Sequence, residues 1–566
     1  MARLIIIMRT LFSLLYPLYS NNKFNLCIPI VLLFMTAISG IALLGISGWL
    51  LTGAYIVDIG AMFNLFMPSA LIRILSLTKV VFRYIEKLTG HAAIFKLLSD
   101  LRGFVFGSMI KLNPKELSKY HNGDLVSRIT SDIDILDVVF LLFLEPFIVV
   151  IILFFLFYLF FYCFMPINSL VMVLISCFAV VVIPFLLIRS TKNNGMYIQE
   201  YSSNMRGFIL EMIDSHIDIT IMQLQDAKNR EFSYICSGMS KYRSNQSIAS
   251  ATGQYFLSIV SGIGIVIIIY LEIGYFEKNK IEAPLLIGIL LASFGFFEMF
   301  SSIVKGSACL GSAIKGADRI SAIIDTKNSI KDIDDPVNLP SHGDIVYDNV
   351  SFSYINSITN ENSTVLHNVN LKINIGEHVA IVGPSGSGKS TLLSLLLRMD
   401  EVSDGYITFG GNDIRKCKQS DLHSRIAFLS HDPDIFLGTL RSNIIIGNQL
   451  ASDDLIFETL KLVNLHDFIR NLPLGLDTFI TETGSNLSIG QARRLCLARA
   501  LISPASVLVL DEPTSGLDRV LEQDFFIDLR QAAGKKRSVI MATHANVFHF
   551  HDIKTYKLND GVLFDN

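Results

Sequence analysis

Six separate stretches of this chain, about residues 26–51, 62–82, 138–163, 167–188, 253–276 and 284–304, are long and apolar enough to cross a bilayer, which takes roughly 20 mostly apolar residues in a helix. Nothing else in the sequence constrains the fold as strongly. Backbone in lipid must satisfy its own N–H and C=O groups, so such stretches are helices. The apolar material is confined to the first part of the chain. From about Ser341 onward the composition is that of an ordinary soluble domain. The whole-chain values of 51% hydrophobic residues, 17% charged residues and mean hydropathy +0.49 therefore average two unlike parts. A length of 566 residues also exceeds what one core organises. The expected organisation is a transmembrane domain over 1–325, a linker over 326–343 and a soluble domain over 344–566.

The connections between the apolar stretches set the topology. The third and fourth are separated only by Phe164 to Pro166. The connections over 83–137 and 189–252 are long and carry Arg83, Lys87, Lys96, Arg102, Lys111 and Arg128, then Arg189, Lys192, Arg206, Lys228 and Arg230. Basic residues collect on the cytosolic side, so both long connections and both termini are expected there. Weak loop signals over such lengths suggest helices that continue beyond the bilayer. The first twenty residues read as an interfacial lead-in helix, without the small-residue cleavage site of a signal peptide. A net charge of −3 with no clustered basic face argues against a nucleic-acid partner. The seven cysteines are scattered and show no CxxC spacing, so they read as reduced or structural.

Charge within a membrane span marks a pathway or binding site by default. Arg73 lies in the middle of the second stretch with Lys79 beyond it, and Glu145 adjoins Pro146 in the third. Arg83, Lys87 and His91 follow at i, i+4 and i+8, on one helical face. That face reads either as an anchor at the cytosolic membrane edge or as a cationic stripe, with His91 able to ligate a metal, that meets an anionic ligand. Arg73, Lys79, Arg83 and Lys87 are the candidate substrate-pathway residues.

The soluble part alternates short apolar strands with helices, the pattern of a largely parallel sheet. The strand Val379 to Val382 runs into Gly383-Pro384-Ser385-Gly386-Ser387-Gly388-Lys389-Ser390-Thr391 and then a helical segment. This is GxxxxGK[ST] in its strand–loop–helix setting. Backbone N–H groups of such a loop surround phosphates, Lys389 is placed to reach the β- and γ-phosphates, and the Ser390 hydroxyl to bind Mg²⁺. A second buried strand, Val507 to Leu510, ends in Asp511-Glu512. Asp511 suits the Mg²⁺ carboxylate and Glu512 a base for the attacking water. ATP and Mg²⁺ are thus the expected cofactors.

Between these motifs, Leu487-Ser488-Ile489-Gly490-Gln491 resembles the LSGGQ signature of ABC transporters, with Ile489 in place of the first glycine. Ser515-Gly516-Leu517-Asp518 resembles the D-loop, His544 the switch histidine, and Tyr354 the adenine-stacking aromatic. The resemblance implies a membrane all-α six-helix exporter-type (type IV) ABC transmembrane domain plus an α/β P-loop ABC nucleotide-binding domain. It also implies head-to-tail pairing of two ATPase domains, with nucleotide held between Lys389 of one and Ser488, Gly490 and Gln491 of the other. Catalysis would fall to Glu512, His544 and Lys389. Two positions depart from the family pattern. His431 stands where a glutamine is usual, and imidazole is a poor copy of an amide oxygen toward a hard cation. Ile489 adds bulk beside the phosphates. Both favour a heterodimer of related but distinct chains.

Gly45-Ile46-Ser47-Gly48-Trp49-Leu50, Phe63-Asn64 through Pro68 and Arg73, Arg83-Tyr84-Ile85-Glu86-Lys87 with His91, and Gly123-Asp124-Leu125 through Asp137 resemble CydC-type chains. The resemblance covers almost the whole sequence. It implies a CydD-like ABC half-transporter as partner, a bacterial inner-membrane location, and export of glutathione or cysteine with a role in cytochrome bd assembly. It also implies that haem is bound or moved, with His91 as the candidate iron ligand. Two other classes stay open: a homodimeric exporter of lipids, peptides or drugs, and a non-transporting ABC-type assembly factor.

Overall fold

The computed structural model describes residues 23–56, 65–120, 122–164, 166–277, 282–326, 330, 332–333, 335–355, 362–432, 434–481, 484, 486–514, 525–527, 529–530, 533, 537–544 and 553–565. The chain forms two compact units. The first comprises Met1–Leu112 and Glu116–Lys327, the second Asn113–Lys115 and Asn328–Asn566.

The first unit is helical: α1 (Lys23–Ile56), α2 (Phe66–Ile110), α3 (Asn122–Ile129), α4 (Glu145–Phe164), α5 (Pro166–Cys177), α6 (Ile183–Asp214), α7 (Gln225–Glu277), α8 (Ala283–Glu298) and α9 (Phe300–Ile324). Among the described residues, five helical runs are long and apolar enough to cross a membrane: Lys23–Ile56, Gly123–Phe160, Met172–Asp214, Gln225–Glu277 and Ala283–Ile324. The remaining expected span, 62–82, starts outside the described residues and continues as α2, which carries Arg73 and Lys79. Helices α2, α6 and α7 run 45, 32 and 53 residues. At 1.5 Å per residue the longest exceeds a bilayer's thickness.

Small residues set how closely these helices approach. A Cβ added at Gly48 of α1 would lie 2.9 Å from the Ile287 carbonyl oxygen of α8, and one at Gly288 would lie 2.9 Å from that of Gly45. A Cβ at Gly195 of α6 would lie 2.4 Å from the Ser312 nitrogen in α9. With lipid as solvent, helix association depends on such close backbone packing. Helix α9 is the hub, burying Gly306, Ser307, Ala308, Gly311, Ser312, Ala313, Gly316 and Ala317. Just before α4, Val139–Leu144 forms a π-helix, in which the Glu145 N–H donates to the Phe140 carbonyl. Pro146 has no N–H to return to the Leu142 carbonyl. That oxygen would be 2.6 Å from any Cβ at Gly306.

In the second unit, β1 (Ile345–Ile355), β2 (Asn362–Ile373), β4 (Asp404–Phe409) and β5 (Asn412–Asp413) build an antiparallel sheet, with β3 (His378–Val382) between β2 and β4 in sequence. A six-stranded sheet runs β12-β11-β3-β10-β9-β6, from β6 (Ile426–Leu429), β9 (Val507–Asp511), β10 (Ser538–Thr543), β11 (Ile553–Asn559) and β12 (Val562–Asp565). Here β3, β10, β9, β6 and β11 are parallel and β12 pairs antiparallel at the edge. Gly438–Thr439 (β7) and Phe479–Ile480 (β8) form a small separate ribbon. Strands β9 and β10 are buried along their whole length, as their uninterrupted apolar sequences require for a sheet covered on both faces. The helices after β3 (α10, Lys389–Leu396) and before β9 (α11, Ile489–Leu501) complete the frame of the site. Segment 328–343 groups with this unit, and Val337 makes a parallel bridge to Cys417.

Candidate ATPase site

In the six-stranded sheet β10 lies between β3 and β9, so the carboxyl ends of three adjacent parallel strands open on one place. Ligands of open α/β sheets bind outside such ends. The chain leaving β3 forms the glycine loop, the end of β9 supplies Asp511 and Glu512, and the residue after β10 is His544.

The loop is shaped by two glycines in particular. A Cβ at Gly383 would lie 2.2 Å from the Leu558 carbonyl oxygen, and Gly388, which opens α10, has φ of +102°. Pro384, Ser385, Gly386, Ser390 and Ser387 follow the loop's curl; Ser385, Gly386 and Ser390 are exposed, while Ser387 is buried with no hydrogen-bond partner for its Oγ. Lys389 Nζ donates to the carbonyls of Gly383 (2.9 Å) and Pro384 (3.0 Å) and lies 3.4 Å from His544 Nε2. Burial lowers the Lys389 pKa, against the pull of Glu512 and Asp511. Burial likewise raises Asp511, although the Ser390 hydroxyl donates to it. Asp511 Oδ1 is buried without a partner. An orphaned carboxylate oxygen beside a serine hydroxyl suits a hard divalent cation such as Mg²⁺. Tyr354 is 38% exposed, lies edge-on to Phe352, and its hydroxyl is 3.4 Å from Thr391 Oγ1.

Glu512 is the most constrained residue here. Its φ is +48°, the left-handed region, which costs a non-glycine residue about 1–2 kcal/mol. Its N–H donates to the Ala542 carbonyl at 2.8 Å. Its carboxylate sits between two imidazoles: His544 Nε2 is 2.9 Å from Oε1, and His431 Nδ1 is 3.2 Å from Oε2. Strain held by surrounding contacts at a carboxylate is a functional signature.

Gly490 and Gln491 lie in the first turn of α11, with Ser488 as its N-cap. Ser488 caps the helix, its Oγ accepting from the Gln491 N–H while the Gln491 Oε1 accepts from the Ser488 N–H. Ile489 is 86% exposed beside them. Asp518 lies outside the described residues. Sequence reasoning missed the role of Arg493, whose Nη2 donates to the carbonyls of both His431 (3.1 Å) and Glu512 (2.9 Å). Its position five residues after Ser488 was the available signal.

In the first unit Arg83, Lys87 and His91 are all exposed along α2, with the His91 ring 5.9 Å from that of Phe95. Arg73 is exposed on the same helix, while the Lys79 side chain lies over Gly40 of α1. Among the described residues, no group of three or more His, Cys, Asp or Glu side chains is arranged to hold a metal ion. Two buried carboxyl groups stand out. Glu145 is 1% exposed with Oε1 unpartnered, and Glu272 in α7 is fully buried with both oxygens unpartnered. Glu272 escaped the sequence reading, although a lone acid in an apolar run is the same signal that marks Glu145.

Helices α3, α6 and α9 share a polar network. Arg319 pairs with Asp124 and, through Nε at 3.2 Å, with Asp132. Gln199 Nε2 donates to Asp132 at 2.9 Å, Ser203 Oγ to Asp124 at 3.0 Å, and Arg128 Nε to Asp124 at 2.8 Å.

Comparison with known proteins agrees with this architecture. Residues 366–515 match the family model described as ABC transporter. Over 93% of this chain and 91% of the relative, the sequence is 27% identical to the glutathione/L-cysteine transport system ATP-binding/permease protein CydC of Escherichia coli (strain K12). It is 30% identical to a putative export ATP-binding/permease protein of Rickettsia typhi, across 76% of this chain and 74% of that one. The fold matches a bacterial Atm1-family ABC exporter with ATP bound, at a TM-score of 0.83 and 19% identity, covering 94% of this chain and 93% of the exporter. The chain belongs to the ABC transporter family: it is a multi-pass ATP-binding/permease protein that hydrolyses ATP to drive transport, similar to CydC.

Proposed function

We propose that this chain is one half of a heterodimeric exporter of the bacterial inner membrane, with both termini cytosolic. Paired with a CydD-like chain, it couples ATP hydrolysis to export of small thiols such as glutathione and cysteine, in support of cytochrome bd assembly. The supporting observation is the convergence of Lys389, Asp511, Glu512 and His544 at three adjacent strand ends, in a chain similar to CydC over nearly its whole length. The membrane domain spans 1–325 and the ATPase domain 344–566, joined by 326–343.

In this reading the loop from Gly383 to Thr391 holds the triphosphate, and Tyr354 stacks on the base. Ser390 and Asp511 would hold Mg²⁺, which when bound neutralises charge on the phosphate oxygens. Glu512 accepts a proton from the attacking water, and His544 holds the carboxylate and senses the terminal phosphate. Ser488, Gly490 and Gln491, at the start of α11, serve the nucleotide of the partner, as does Asp518. Ile489 and His431 make the two composite sites unequal, which supports two distinct chains.

Haem is a second candidate cargo. A neutral imidazole can ligate haem iron, and His91 shares an exposed face with Arg83 and Lys87, which suit the propionates. The test is to purify the chain with its membrane partner and measure which of glutathione, cysteine or haem stimulates ATPase activity, with Lys389→Ala as the blank. No stimulation by any of the three would refute the cargo assignment.

One observation favours a more apolar cargo and the general-exporter alternative. A cavity of about 520 Å³ between α1, α4 and α8 is lined by Ile41, Trp49, Leu153, Phe157, Ile289 and like residues. Stimulation by apolar compounds but not by thiols would select that reading.

A further inference from the structure

We infer that His431 is a positioning residue for Glu512: its imidazole fixes one carboxylate oxygen while His544 fixes the other, and Arg493 ties the two backbones together. The inference rests on the assignment of Glu512 to water activation and names what holds that group in place.

A glutamate carboxylate turns freely about its last bond, because that torsion is broad and roughly two-fold. One hydrogen bond leaves it free to tilt. Contacts at 2.9 Å to Oε1 and 3.2 Å to Oε2, from rings on different segments, do not. His544 follows β10, whereas His431 follows β6, the outer strand beyond β9. The two rings therefore approach Glu512 from opposite sides of the strand that carries it.

The backbone is held as well. A single guanidinium nitrogen of Arg493 donates to both the His431 and the Glu512 carbonyls. The contacts close a ring: His431 side chain to Glu512 side chain, Glu512 carbonyl to Arg493, and Arg493 to the His431 carbonyl. Three segments meet in it, those after β6 and β9 and the helix α11 that opens with Ser488. Displacement of α11 therefore moves Glu512 and His431 together.

A small misplacement of a catalytic group is costly, since reaction needs near-attack geometry. The His431 side chain is itself 49% exposed, so its removal opens no cavity and threatens the fold little. The loss should appear in turnover.

The experiment uses the full-length chain in its purified membrane assembly and measures kcat and KM for Mg-ATP. His431→Ala should lower kcat by about 10- to 100-fold, as loss of an orienting partner does, with KM unchanged. His431→Gln, whose amide N–H can replace the imidazole donor, should restore most of that loss and so exclude a folding defect. Arg493→Met should reproduce the kcat loss. An unchanged kcat in His431→Ala, or a loss confined to KM, would overturn the inference. Glu512→Gln is run alongside: surviving turnover there would refute the role of Glu512 itself, a failure distinct from that of His431.

Discussion

Asp124→Asn tests whether the polar network of the first unit is a structural joint. The substitution keeps the side chain's volume and removes its charge. Asp124 accepts from Arg128 Nε at 2.8 Å and Ser203 Oγ at 3.0 Å, and pairs with Arg319. The Arg128 and Arg319 side chains are only 10% and 12% exposed. Breaking a buried ion pair by removing one partner costs about 3–5 kcal/mol. Arg319 keeps Asp132 at 3.2 Å, and Arg128 keeps the Arg319 carbonyl at 2.8 Å, so the expected loss is at the low end, about 3 kcal/mol. For a unit of this size that shifts the melting temperature by roughly 5–10 °C. The internal control is Asp134→Asn. Its partner Arg102 is 43% exposed and Asp134 itself 58%, and an exposed pair contributes about 0–1 kcal/mol. Thermal unfolding of the purified protein, followed by a thiol-reactive dye, measures both. If the two variants melt at the same temperature, the network is ordinary surface charge and the reasoning fails.

Lys389→Ala should abolish binding of a fluorescent ATP analogue, whereas Glu512→Gln should bind it and accumulate a nucleotide-bound state without turnover. Asp511→Asn should remove Mg²⁺-dependent hydrolysis while leaving metal-free nucleotide binding, which an EDTA-treated binding titration checks. Gly195→Val places side-chain atoms where a Cβ already meets the Ser312 nitrogen at 2.4 Å; overpacking of this kind costs about 1–3 kcal/mol or more, visible as a lowered melting temperature. Gly103→Ala, with nothing within 4 Å of its added Cβ, should instead stabilise α2 by up to about 1 kcal/mol.

What the sequence disclosed and what it withheld divide along contact range. The loop from Gly383 to Thr391 was legible because strand, glycines, lysine and helix succeed one another without a break. Asp511-Glu512 was legible because an apolar run ends in two acids. Their meeting with His544 depends on β10 lying between β3 and β9, a pairing that local periodicity does not encode. The network escaped notice for the same reason: Asp124 and Arg319 are 195 positions apart, and each alone looks like a surface charge. Arg493 was visible as a basic residue in a helix, but its work is done through backbone carbonyls, which carry no sequence signature. The cationic row of Arg83, Lys87 and His91 was read from spacing alone, and the structure places all three on the exposed face of α2.

The π-helix before α4 sets the rotational phase of α4 itself. Below it Ile133 and Leu136 are buried, within it Val139 and Phe140, and above it Glu145, Val149, Val150 and Leu153. The widened turn takes up one residue more than an α-helical turn would, so the inward-facing rows on its two sides belong to two different helical wheels. Closing Val139–Leu144 as an ordinary α-helix with every residue retained would turn everything beyond by about 100°. Glu145 and the apolar row after it would rotate away from the core, and the Leu142 carbonyl would leave its place opposite Gly306. Along this stretch, length carries information of its own: the extra residue is absorbed only while the turn stays wide, so a deletion within it that lets the turn close leaves every side chain downstream at its address.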